Sequence, residues 1–203
     1  MTTCTNRRLF LRESLLVAAG ATGGAMLPAL VRSFRPSTAN GAADDKQLSS
    51  GAERRLRELG IKLPPAPQPV AIYVPVVLSG NMLFTSGHGP RRTAGKEFLG
   101  KVGGKLTLEE GYAAARVVGL NVLSSVRARL GSLDKVVRLV KVLGMVNCTP
   151  DFTKQPQVIN GFSELMVQVF GEQNGKGARS AVGMGSLPSN IPVEVEAIFE
   201  VRV

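Results

Sequence analysis

From about residue 70 onward, runs with a hydrophobic period of two alternate with runs whose period is near 3.6. Residues 72–78 are rich in β-branched side chains, Ser79-Gly80-Asn81 is a turn signal, and residues 82–86 form a second run. Together they predict a β-hairpin, closed by Gly87-His88-Gly89-Pro90. Residues 91–105 hold Gly95, Gly100, Gly103 and Gly104 and read as a loop. Thr107-Leu108-Glu109-Glu110 is a capping box, and Leu108, Ala115, Gly119, Val122 and Val126 follow at three-four spacing to a glycine stop at Gly131. Residues 136–147 suit a strand. Pro156 opens a second helix that runs to Phe170 and stops at Gly171. Residues 178–184 and 193–203 are two last strands; in the second, Glu194, Glu196, Glu200 and Arg202 alternate with Val193, Val195, Ile198 and Val201. The order β-β-α-β-α-β-β predicts an α+β domain, a single sheet with both helices packed on one face.

Upstream, the pattern changes twice. Residues 49–60 predict a short amphipathic helix with Leu56 and Leu59 on one side, and the proline-rich string from Pro64 to Pro69 forces an extended entry. We therefore read residues 42–69 as a tether and 70–203 as the compact domain. Residues 1–41 read as an address. Arg7-Arg8-Leu9-Phe10-Leu11 precedes an apolar run from Leu15 to Val31 that is diluted by Gly20, Gly23 and Gly24. This resembles a twin-arginine (Tat) export signal and implies a periplasmic protein. Its glycines and its length make the run a poor membrane anchor, so no stable anchor is expected, although an uncleaved leader would tether the chain to the membrane.

Composition removes several function classes. The 203 residues carry a formal net charge of +10, but the charge is spread: five arginines against Glu13 give +4 in residues 1–40, and 20 − 14 = +6 remains in the other 163. With no Trp, eight Phe and two Tyr, there is little to stack bases on, so no nucleic-acid partner is expected. One histidine, His88, argues against a Ser-His-Asp triad, and two cysteines, Cys4 and Cys148, exclude a four-cysteine zinc site. No metal or cofactor is expected.

Several short strings then stand out in order. They are Tyr73 ahead of Gly80-Asn81, Thr85-Ser86-Gly87-His88-Gly89-Pro90, Asp151-Phe152, Val158-Ile159-Asn160 and Phe170. Ala178-Arg179-Ser180-Ala181-Val182, Leu187-Pro188 and Val193-Glu194-Val195-Glu196-Ala197 complete the set. In this order and spacing the chain resembles the RidA/YjgF family of imine deaminases, formerly called endoribonuclease L-PSP, which has a chorismate mutase-like fold. The resemblance implies a homotrimer with sites in clefts between neighbouring subunits. It also implies hydrolysis of 2-aminoacrylate-like enamine and imine acids to 2-keto acids and ammonia, without cofactor.

The same resemblance assigns the residues. Arg179 matches the arginine that holds the substrate carboxylate, a task suited to a bidentate guanidinium. As an isolated strand arginine it would instead pair with Glu194 or Glu196 on an adjacent strand. Glu194 matches the acid that positions or activates water, and Glu196, two residues on, shares its face. Tyr73 matches the tyrosine that closes the cleft. Ser86 matches a serine facing the site but has no visible base to make it a nucleophile, and Gly87 permits close backbone approach. Asn160 either contacts ligand or caps a turn. Ala181 stands where the family often has cysteine, leaving a backbone contact, and His88 stands where glutamine is usual. The expected partner is a small carboxylate-bearing metabolite. Two readings follow: an imine deaminase, or a non-catalytic trimer binding a metabolite in the same cleft. Ribonuclease activity finds neither paired histidines nor a metal set.

Overall fold

The computed structural model describes residues 51–69, 71–90 and 97–203. The expected export leader, and residues 91–96 of the expected loop, lie outside the described residues.

The elements are α1 (Ala52–Glu58), β1 (Val76–Ser79), β2 (Met82–Thr85), α2 (Leu108–Leu130), β3 (Val136–Asn147), α3 (Gln155–Phe170), α4 (Glu172–Gly175), β4 (Ala178–Met184) and β5 (Val193–Val201). One five-stranded sheet has the order β1-β2-β5-β3-β4. β3 and β4 are parallel and joined through α3; every other neighbour is antiparallel. The α+β architecture is the expected one.

Local chemistry sets the helix limits. Thr107 Oγ1 accepts from Glu110 N at 3.1 Å and Glu110 Oε2 accepts from Thr107 N at 3.1 Å, so the capping box is fully formed. Gly131 closes α2 in a left-handed conformation (φ 83°). α2 and α3 lie on one face of the sheet, and the core between them holds Val118, Val122, Phe162 and Leu165 against Leu139, Val142, Val195 and Phe199. The helices touch closely because position 161 is glycine: a Cβ there would lie 2.1 Å from the Tyr112 carbonyl oxygen of α2.

Three expectations shift. The first strand starts at Val76 rather than 72, because the residues before Pro75 have no strand beside them; Ile72 and Val74 remain exposed. In β5 the buried row is Val193, Val195, Ala197, Phe199 and Val201, so Ile198 joins Glu194, Glu196 and Glu200 on the open face. Third, α1 is packed rather than tethered, and it buries Ala52 and Leu56 while Leu59 stays half exposed. Asp134 Oδ1 accepts from the backbone N–H of both Ala52 (3.0 Å) and Glu53 (3.1 Å), which caps α1 from a distant part of the chain. The Glu53 carboxylate accepts from Leu133 N and pairs with Arg127 at 3.0 Å. Ser124 donates to the Pro64 carbonyl at 2.8 Å. The packed body therefore begins before the expected boundary at residue 70.

The sheet face opposite the helices is open. Register places Val77 beside Phe84, Phe84 beside Ile198 and Ile198 beside Lys141 in one row across it. A second row runs Val182, Met145, Glu194. Val77 and Phe84 are exposed, as is Val182.

Candidate functional site

β4 is an edge strand, and its register with β3 sets Arg179 opposite Val142, on the helix side of the sheet. From there Arg179 Nη1 donates to Asn160 Oδ1 at 2.9 Å and to Ser163 Oγ at 3.0 Å, two α3 residues one turn apart. Both partners are neutral, and among the described residues no carboxylate pairs with Arg179. The alternative pairing with Glu194 or Glu196 fails because β3 lies between β4 and β5. The guanidinium thus lines a cleft of about 570 Å³ together with Leu139, Val142, Val167 and Lys176, and the two carboxylates in that lining are engaged elsewhere, Glu164 with Tyr112 and Glu172 with Lys176. Asn160 holds the arginine rather than capping a turn. Ser163 was not singled out in the sequence; its signal is the spacing of three from Asn160 on the same helix.

The other expected residues gather in a second cleft of about 460 Å³ that Tyr73, Ser86, Gly87 and Glu194 line together with Pro188, Ser189 and Ile191. Ser86 spends its hydroxyl proton on the Val74 carbonyl at 2.6 Å, and its N–H bonds the Pro75 carbonyl at 2.9 Å. The hydroxyl oxygen keeps acceptor capacity, and no base takes its proton. Gly87 lies directly against Glu194: a Cβ at position 87 would sit 1.8 Å from Glu194 Oε1. What approaches this glycine closely is therefore the carboxylate. Burial pushes the Glu194 carboxyl above the usual carboxylate range, and the Glu196 charge on the same face pushes it further.

His88 supports this arrangement from behind. It is buried, and its backbone pairs with Val195 in both directions at 3.0 Å. Its Nδ1 faces the Ser86 carbonyl at 2.7 Å and so carries a proton, while Nε2 meets Ser125 Oγ at 2.8 Å. The ring fixes the Ser86-Gly87 backbone beside Glu194.

Within one chain these two clefts do not merge. Arg179 leaves the helix side of the sheet and Glu194 leaves the open side, with β3 between their strands. Ala181 lines neither cleft; its side chain packs against the core. Among the described residues no three His, Cys, Asp or Glu side chains converge to hold a metal ion, and no helix is long and apolar enough to cross a membrane.

This fold and residue order match a family model described as "YjgF/chorismate mutase-like, putative endoribonuclease" over residues 53–197. The chain belongs to the YjgF family. The match starts inside α1, in keeping with its packed position. Protein TCP17 of Trypanosoma cruzi is a relative, 47% identical over 147 residues, covering 72% of this chain and 92% of that one. A crystal structure of a protein of unknown function from Agrobacterium tumefaciens is 40% identical with a TM-score of 0.68, covering 79% of this chain and 98% of that one. A Shewanella oneidensis protein carrying the same endoribonuclease description is 27% identical with a TM-score of 0.70, covering 74% and 99%.

Proposed function

We propose that the protein hydrolyses small 2-imino and enamine carboxylates to 2-keto acids and ammonia, in a site built by two copies of the chain. The observation that carries this reading is the pairing of Arg179, a guanidinium held by the neutral side chains of Asn160 and Ser163 and therefore available to an anion. A carboxylate docked there places the adjacent C=N carbon for attack. Glu194, whose carboxyl burial holds above its usual range, takes a proton from water as the water oxygen bonds to that carbon. The C=N π pair moves to nitrogen, which takes that proton from Glu194 and gives the carbinolamine; Glu194 then takes the carbinolamine hydroxyl proton and passes it to nitrogen as the C–N bond breaks. Ammonia leaves, the carbonyl forms and the carboxylate is restored; an enamine enters this sequence as its imine tautomer.

Because each copy presents Arg179 and Glu194 on opposite sides of its sheet, a complete site takes Arg179, Asn160 and Ser163 from one copy and Tyr73, Ser86, Gly87 and Glu194 from the next. Three copies related by a threefold axis close such contacts into a ring. The apolar positions Val77, Phe84 and Val182 on the open face favour assembly through that face. The leader pattern extends the proposal to an exported protein acting on imines released outside the cytosol. Recovery of the processed chain in a periplasmic fraction is the expected result, and a full-length chain confined to the cytosol would remove this part.

The deciding experiment generates 2-imino acids with an amino-acid oxidase and follows keto-acid release, with semicarbazide competing for the imine. Acceleration by the wild type that falls at least about 100-fold in Arg179→Ala supports hydrolysis. An assembled, folded protein that accelerates nothing but retains keto acids through Arg179 would instead be a binding protein.

A further inference from the structure

The connection between β4 and β5 contains two consecutive non-glycine residues at positive φ, Ser189 (54°) and Asn190 (57°), the only such residues among those described. Serine adopts this conformation only where its surroundings hold it there. The hold comes from Asn147, the last residue of β3, which is 1% exposed. Its Nδ2 donates to Asn190 Oδ1 at 3.2 Å and to the Ile191 carbonyl at 3.2 Å, while its backbone N–H donates to the Pro192 carbonyl at 2.9 Å. Gly100 N adds a bond to the Asn190 carbonyl at 2.8 Å, and Asn190 N bonds the Leu187 carbonyl at 3.1 Å. The clasp has a consequence for the Glu194 cleft, because Pro188, Ser189 and Ile191 form one of its walls. Ile191 is wedged against Gly89, where a Cβ would lie 2.7 Å from Ile191 Cδ1. Ser189 lines the cleft with an exposed hydroxyl that forms no hydrogen bond among the described residues.

We propose that Ser189 determines specificity, its hydroxyl receiving a polar group on the ligand's side chain, and that Asn147 is the positioning residue that sets it there. The ligand class is the small 2-imino or 2-keto acid bearing a hydroxyl on C3, in preference to its methyl isostere. This rests on the site proposed above. A ligand whose reacting carbon reaches Glu194 enters the cleft whose wall carries Ser189. An unpaired hydroxyl in the cleft favours the partner that can bond it.

The test compares imines generated from serine and from 2-aminobutyrate, which differ by hydroxyl against methyl. Wild type is expected to favour the serine-derived imine in kcat/KM by about five- to tenfold, the worth of one hydrogen bond. Ser189→Gly, which takes positive φ freely and keeps the loop, is expected to bring the ratio of kcat/KM for the two imines to within about twofold of one. Asn147→Ala is expected to raise KM for the serine-derived imine with kcat retained, a split that general destabilisation does not produce. Calorimetry with hydroxypyruvate and 2-oxobutanoate provides a readout that needs no catalysis. Preferential, Ser189-dependent binding of hydroxypyruvate by a protein that hydrolyses neither imine would keep this inference and remove the deaminase reading. A preference that survives Ser189→Gly, or no preference in wild type by either readout, would overturn the inference.

Discussion

Glu194 sits where desolvation and a like charge act in the same direction. Its folded pKa is raised, so the fold favours the protonated carboxyl; that stabilising contribution is present at low pH and is lost as pH rises through the raised value. Glu194→Gln, which needs no ionisation, is therefore expected to melt slightly above wild type near pH 8, by a shift on the order of 2 °C. The two melting curves should converge near pH 4. If Glu194 is the base, the acid limb of kcat/KM follows its ionisation. Glu196→Gln, by removing a neighbouring negative charge, is expected to move that limb to lower pH. A limb unmoved by Glu196→Gln would assign the titration to another group.

At the scale of elements, α1 depends on a cap supplied from far along the chain. Asp134→Ala leaves the Ala52 and Glu53 N–H groups without their acceptor, and the expected loss is about 1–2 kcal/mol in denaturant unfolding. The α2–α3 contact is stiffer. A methyl at Gly161 meets the backbone of α2 rather than a movable side chain, so Gly161→Ala is expected to cost about 3 kcal/mol or more. A loss of less than about 1 kcal/mol would mean that the two helices separate easily.

At the scale of the whole molecule, Arg179 and Glu194 lie on opposite sheet faces, so under the proposed two-copy site an inactive Arg179→Ala chain and an inactive Glu194→Gln chain should complement each other. Random co-assembly gives each site a wild-type half from both copies in about a quarter of cases, and recovery of about that fraction of activity is expected on mixing and reassembly. No recovery would place both residues in one chain's site. Phe84→Lys introduces a charge into the exposed apolar row with Val77 and Ile198. It is expected to lower the assembled mass in light scattering and to reduce activity with it.

Much of this architecture was legible because its signals are local. The Thr107–Glu110 box, the Gly131 and Gly171 stops and the alternation in β5 depend on neighbours within one turn or one strand, so α2, α3 and β5 follow from the chain itself. Even so, Ile198 and Leu59 took faces that composition did not indicate, because a side chain's burial depends on which element crosses it. The motif residues were likewise readable as a set, and their order pointed to the family. Strand order is a long-range property. Only the insertion of β3 between β4 and β5 separates Arg179 from both glutamates and gives it Asn160 and Ser163 instead. Only the pairing of His88 with Val195 brings Gly87 against the Glu194 carboxylate. The sequence by itself determined the elements and the residue types the chemistry needs; the tertiary structure decided which of them meet, because contacts between residues far apart in the chain are set by sheet order and register.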